Sequence, residues 1–133
     1  MPRPTGTVTF LFTDIAGSSK LWEEQRDQMH AALARHDELL RAAIDAHAGY
    51  VFATGGDAFA AAFSAPGQAV AAAVETQHLL AAESWDLPHS LRVRMALHTG
   101  VAEERDGDYF GPPLNRCARL LGAAHGGQIP VSY

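Results

Sequence analysis

Residues 7–19 read Thr-Val-Thr-Phe-Leu-Phe-Thr-Asp-Ile-Ala-Gly-Ser-Ser. Apolar side chains alternate with threonines over residues 7–13, which predicts a half-buried strand. Serines after Gly17 are good helix N-cap residues, and apolar residues then recur at spacings typical of one long amphipathic helix that ends near Gly49. The sequence therefore predicts a strand, a turn that begins at Asp14, and a helix.

The middle of the chain predicts a β-hairpin and a second helix. Strands are expected at 50–52 and 59–63, and the glycine-rich segment 54–57 between them forms the turn, with Asp57 beginning the second arm. The alanine-rich stretch from 66 to about 83 has the composition of a helix.

The last third predicts another strand, a hairpin and a helix. Strict alternation over 91–98 indicates a strand, and 100–111 is acidic and turn-rich, as in an exposed hairpin. A short helix is expected at 114–124 and a short strand at 128–132. The order β, α, β, β, α, β predicts an α+β, ferredoxin-like antiparallel sheet with its helices on one face.

This topology brings two carboxylates together. In such a sheet the second hairpin strand lies beside the first strand, so we expect Asp14 and Asp57 to be neighbours. Paired carboxylates at strand ends suit hard cations such as Mg²⁺ or Mn²⁺. The alternative is that Asp14 only caps a helix and Asp57 only occupies a turn.

Backbone N–H groups at the start of the first helix offer a site for the phosphates of a nucleotide, because the positive end of a helix attracts anions. The groups belong to Ile15, Ala16, Gly17, Ser18 and Ser19.

Composition excludes several classes of protein. A net charge of -5 over 133 residues argues against a nucleic-acid scaffold. The only lysine, Lys20, follows Ser19 rather than glycine, so a Walker-type phosphate loop is absent. The single cysteine, Cys117, is expected in the core and excludes an internal disulfide. No apolar run approaches the roughly 20 residues that span a bilayer, so we expect a cytoplasmic domain without membrane contact.

Two polar residues of the last predicted helix share a face. Asn115 and Arg119 stand four positions apart, and an amide and a guanidinium that project together can stabilise charge on a transferring phosphoryl group. Such pairs are also routine on solvated helix faces.

Four segments, in order and spacing, closely resemble the bacterial class III adenylate/guanylate cyclase domain. They are 12–19 (Phe-Thr-Asp-Ile-Ala-Gly-Ser-Ser), 55–59 (Gly-Gly-Asp-Ala-Phe), 94–100 (Arg-Met-Ala-Leu-His-Thr-Gly) and 107–119 (Gly-Asp-Tyr-Phe-Gly-Pro-Pro-Leu-Asn-Arg-Cys-Ala-Arg). Together they cover nearly the whole chain.

The resemblance implies a role for each matching residue. Asp14 and Asp57 match the two metal-binding aspartates, with the Ile15 carbonyl as a backbone ligand. Asp108 matches the aspartate that reads the purine. In this family the metal-binding and base-reading residues come from opposite subunits, so the resemblance implies a homodimer with two composite sites, each holding two Mg²⁺ or Mn²⁺ ions.

The resemblance also implies that Asn115 and Arg119 orient the ribose and stabilise the transition state. The sequence departs from the family at Ala53, where adenylate cyclases carry an adenine-reading lysine. Loss of that donor is expected to cost about 1.5–3 kcal/mol of recognition and to relax the preference for ATP over GTP. The family continues beyond residue 133, so the sequence is expected to be one cyclase domain, 1–133, truncated at its C-terminal end.

The leading hypothesis is a nucleotidyl cyclase that converts a nucleoside triphosphate, ATP first, into a 3′,5′-cyclic nucleotide and pyrophosphate. A second hypothesis is a degenerate cyclase-like module that binds nucleotide or dimerises and regulates an attached domain. The motif at 55–59 also suggests a diguanylate cyclase, but Ala58 stands where that family carries an acidic residue.

Overall fold

The computed structural model describes residues 3–132. Ten helices and strands follow one another within this range. They are β1 (Gly6–Ile15), α1 (Ser18–Glu24), α2 (Arg26–Ala46), β2 (Tyr50–Gly55), β3 (Ala58–Phe63), α3 (Pro66–Ala82), β4 (Val93–Arg105), β5 (Asp108–Phe110), α4 (Pro112–Gly122) and β6 (Val131–Ser132).

The sheet has the strand order β2-β3-β1-β4-β5, and β6 pairs with β4. The β1–β3, β1–β4, β2–β3 and β4–β5 pairs are antiparallel, whereas β6 runs parallel to β4. The predicted α+β, ferredoxin-like order is confirmed, with one parallel pair added at the end. Thr13 pairs with Phe59, so the β2–β3 turn lies beside the C-terminal end of β1.

Helices cover both faces of the sheet. Leu11 and Met95 belong to a core that α2 and α3 complete, whereas Phe10 and Ala96, one position away on the same strands, pack with Cys117 of α4. The prediction that all helices share one face is correct for α2 and α3 and wrong for α4. Both faces of β1 carry buried apolar side chains, such as Phe10 on one and Leu11 on the other, so each requires a covering layer.

The predicted single helix after Gly17 is two helices. Gln25, at φ -133°, leaves the helical region between α1 and α2, although its N–H still donates to the Leu21 carbonyl at 2.8 Å. The predicted serine cap is also wrong. Gly17, with a left-handed φ of 67°, precedes the first turn, and no side chain caps it.

β4 is longer than the alternation over 91–98 predicts. It extends to Arg105, turns at Asp106 and Gly107, and returns as β5. This confirms the hairpin predicted over 100–111 and carries Asp108 to the start of β5.

Candidate active site

The Asp14 carboxylate is bound by an arginine of the adjacent strand. Asp14 and Arg94 are directly opposite each other in the β1–β4 register. The Arg94 Nε donates to Asp14 Oδ1 at 2.7 Å, and Nη2 donates to Oδ2, so the guanidinium holds both oxygens. The Asp14 side chain is 22% exposed and that of Arg94 is 31% exposed, so solvent reaches the pair.

Asp57 approaches the same point from the β2–β3 turn. Its Oδ2 accepts a hydrogen bond of 3.2 Å from the backbone N–H of Ile15, the residue after Asp14. The hydrogen bonds to Asp14 raise the pKa of Arg94, and the nearby Asp57 carboxylate raises it further. The structure thus brings Asp14 and Asp57 together, as the topology predicts, and adds the guanidinium of Arg94, which the sequence analysis did not identify.

The chemistry of this group of side chains fits divalent cations. Two partly exposed carboxylates converge at strand ends, and carboxylate oxygens are the ligands that hard divalent cations prefer. Within residues 3–132 no cluster of three or more His, Cys, Asp or Glu side chains forms a complete metal cage. Backbone carbonyl, water and substrate oxygens would have to complete the coordination shell, which is the usual arrangement for Mg²⁺.

The predicted phosphate site is only partly open in this conformation. The N–H of Ile15 donates to Asp57, and the N–H of Ala16 donates to the Arg92 carbonyl at 2.7 Å. The first N–H groups of a helix have no intrahelical acceptor, and those of Ser18 and Ser19 belong to this set. α1 has seven residues, so its dipole contributes less than the predicted long helix would.

Ala53 lies on β2, at the rim of an apolar cleft of about 290 Å³. The cleft is lined by Phe12, Thr13, Ala53, Thr54, Gly55, Ala58, Phe59, Ala60 and Leu121. Ala53 itself is exposed and offers no hydrogen-bond donor. A base held here would meet carbon atoms where a lysine is expected.

The β4–β5 hairpin folds back over β2, which carries Ala53. Tyr50 Oη donates to the Gly107 carbonyl at 3.0 Å, and the Phe52 and Tyr109 ring centroids lie 4.8 Å apart. Asp108 is exposed between these contacts, and its Oδ1 accepts the Tyr109 N–H at 2.8 Å. These contacts hold β5, which begins with Asp108, close to β2.

α4 is fixed by its buried side and presents its polar side to solvent. Cys117 is fully buried, as predicted, and its Sγ lies 3.6 Å from the Ala96 carbonyl, so burial raises its pKa to about 12. Asn115 and Arg119 are exposed. Arg119 borders a cleft of about 400 Å³ that also touches His98 and Arg116.

The predicted site residues thus form two groups. No hydrogen bond or ion pair within residues 3–132 joins Asp108, Asn115 or Arg119 to Asp14 or Asp57. Asp14 and Asp57 are connected inside the chain, whereas Asp108, Asn115 and Arg119 are exposed.

Comparison with known proteins identifies the family. The family model described as the adenylate and guanylate cyclase catalytic domain matches residues 1–133. The chain belongs to this cyclase family. An uncharacterized protein of Mycobacterium tuberculosis is 40% identical over 131 residues, which is 97% of this chain and 44% of that protein. The adenylate cyclase of Lachancea kluyveri is 35% identical over 97% of this chain and 8% of its own length.

Solved cyclase structures share the fold. An adenylate cyclase of Trypanosoma brucei in its monomeric state superposes with a TM-score of 0.88 at 30% identity, covering 97% of this chain and 74% of that one. An adenylate/guanylate cyclase/hydrolase from Silicibacter pomeroyi gives 0.82 at 29% identity, over 94% and 74% of the two chains.

The cyclase chain therefore spans less than half of the curated relatives named above. Across residues 3–132, no helix combines the length and the apolar character needed to cross a membrane.

Proposed function

We propose that this domain is a nucleotidyl cyclase that converts a purine nucleoside triphosphate into its 3′,5′-cyclic monophosphate and pyrophosphate. The observation that carries the proposal is the convergence of Asp14 and Asp57 at the C-terminal end of β1. These carboxylates place negative charge where a tetra-anionic substrate would bind, so divalent cations between the two would be needed to offset the repulsion.

Asp14, Asp57 and the carbonyl of Ile15 would hold two Mg²⁺ or Mn²⁺ ions. When bound, such ions lower the pKa of a ribose 3′-hydroxyl and neutralise charge on the phosphates. The N–H groups of Ser18 and Ser19 would bind phosphate oxygens of the substrate.

The remaining groups would act on the ribose, the bond that breaks and the purine. Asn115 would orient the ribose, and the guanidinium of Arg119 would stabilise the charge that develops as the bond to pyrophosphate breaks. Asp108 would accept a hydrogen bond from the purine edge. With Ala53 in the apolar cleft, ATP is favoured only modestly over GTP.

The division of these residues into two unconnected groups supports a composite site. A homodimer would place Asp14 and Asp57 of one subunit opposite Asp108, Asn115 and Arg119 of the other, so that each dimer contains two sites. Nucleoside triphosphates are abundant in the cytoplasm, and the proposal places the domain there.

The test is production of cyclic nucleotide by the purified chain with Mn²⁺-ATP and Mn²⁺-GTP. We expect product from the wild type and loss of at least about 99% of it in Asp57→Asn, because an amide binds a hard cation far less well than a carboxylate. Asp106→Asn is the matched control, since Asp106 lies in the exposed β4–β5 turn. Equal turnover by wild type and Asp57→Asn would refute the proposal.

A second candidate is a cyclase-like module that binds nucleotide, or only dimerises, and regulates an attached domain. The absence of a donor at Ala53 favours it. Nucleotide binding or self-association without any cyclic product, in both ATP and GTP assays, would support this candidate instead.

A further inference from the structure

The bond between Arg94 and Asp14 makes the two carboxylates of the proposed metal site unequal. Asp57 accepts one neutral backbone N–H at 3.2 Å. Asp14 gives both oxygens to one guanidinium, with the Nε–Oδ1 distance at 2.7 Å. Two-pronged bonds between arginine and carboxylate are stronger than neutral hydrogen bonds and fix the geometry of both groups.

The bond occupies the oxygens that a cation needs. A cation that binds Asp14 must take at least one oxygen from Arg94, and it also meets the repulsion of a positive charge a few ångströms away. Both side chains keep contact with solvent, at 22% and 31% exposed, so the exchange does not require the fold to open.

We propose that Arg94 is a built-in counter-cation of this site, which holds Asp14 in place when no divalent ion is bound and lowers the site's affinity for such ions. This inference rests on the proposed function, because it takes Asp14 as a metal ligand. Arg94 acts through Asp14 and is therefore a positioning residue. Its guanidinium stays charged at any pH at which the protein folds, so only displacement frees Asp14.

The sequence contains a matched control. Arg92, two positions earlier and exposed, forms no ion pair within the described range 3–132. Arg92→Gln removes the same formal charge as Arg94→Gln without removing a bond to Asp14. A difference between the two variants therefore reports the bond and not the net charge.

The experiment measures Mn²⁺ binding to the whole chain without nucleotide, from the electron paramagnetic resonance signal of free Mn²⁺ and by titration calorimetry. We expect Arg94→Gln to bind Mn²⁺ at least about tenfold more tightly than wild type, and Arg92→Gln to change the affinity less than about twofold. Mn²⁺ should also raise the melting temperature more in Arg94→Gln than in wild type.

The variant Asp14→Asn distinguishes the claim that Asp14 binds the metal from the claim that Arg94 competes with it. Weaker Mn²⁺ binding in Asp14→Asn, with no gain in Arg94→Gln, would overturn the role of Arg94 and leave the metal site intact. Unchanged binding in Asp14→Asn would overturn the metal site and this inference with it. Should Arg94→Gln fail to fold, Arg94→Lys keeps the charge but loses the two-pronged bond, so a smaller gain in affinity is expected and no gain would contradict the inference.

Discussion

The two groups of site residues are built on different principles. At the C-terminal end of β1, Asp14 and Asp57 are bound by Arg94 and by a backbone N–H, so their positions are set inside one chain. On α4, Asn115 and Arg119 stand exposed on a helix whose other side is buried. A composite site, as proposed above, would combine residues held inside one chain with residues that its partner exposes.

The largest effect is expected in the group formed by Asp14 and Asp57, whose contacts lie inside one chain. Asp14→Asn should reduce cyclic nucleotide formation to below about one-thousandth of wild type, through lost cation binding. It should also lower the free energy of unfolding by about 1 kcal/mol, because a charge-assisted, partly exposed pair with Arg94 is weakened. The checks are product assays and urea unfolding. If activity is lost while stability stays unchanged, the pair of Asp14 with Arg94 does not stabilise the fold, and the contrast with the exposed Asn115 and Arg119 is wrong.

Arg119→Ala should lower kcat by about 10²- to 10³-fold, because a group that stabilises developing charge is removed. Its stability should stay within about 0.5 kcal/mol of wild type, since the side chain is exposed. Steady-state kinetics and urea unfolding measure both quantities. A destabilised Arg119→Ala would mean that α4 uses this side chain internally.

A smaller change is expected in the base cleft. Ala53→Lys should improve ATP selectivity over GTP by about ten- to hundredfold, by adding a donor at the rim of an apolar cleft. Gln68→Lys, at an exposed position of α3 outside the cleft lining, adds the same charge and serves as the control. If kcat/KM for ATP rises equally in both variants, or in neither, our account of base recognition is wrong.

The smallest effect concerns His98, which lies beneath α4. Burial, reinforced by Arg116, lowers its pKa from an ordinary value of 6.5. As pH falls through that value, the unfolded chain takes up a proton before the folded protein does, so the folded state loses stability on acidification. His98→Gln should therefore show a shallower loss of unfolding free energy between about pH 7 and 5 in urea titrations. His89→Gln, at an exposed position, should keep the wild-type slope.

Much of the fold followed from local patterns. Alternation and turn residues gave the strands, and the hairpin topology alone placed Asp57 beside Asp14. The break at Gln25 could not be foreseen, because neither glycine nor proline marks it. The covering of the second face by α4 was missed because the threonines that alternate with apolar residues in β1 predict a half-buried strand, whereas Thr9 and Thr13 are buried.

Arg94 shows most clearly what the sequence does not reveal. Arg92 and Arg94 alternate with apolar residues at and just before the start of β4, which is the ordinary pattern of a solvated strand face. Its role depends on the register of β1 against β4, which sets Arg94 opposite Asp14. The antiparallel register of β1 and β4 is the one feature that could have identified Arg94 as the partner of Asp14.

Mixing two inactive variants tests the composite site most directly. Asp57→Asn and Arg119→Ala, combined so that subunits exchange, should regain about a quarter of wild-type cyclase activity, because half of the dimers then contain one intact site of two. The mixture of Asp57→Asn with Asp14→Asn should remain inactive, since both changes fall in the same half. A first mixture as inactive as its components would contradict the claim that two chains share one catalytic centre.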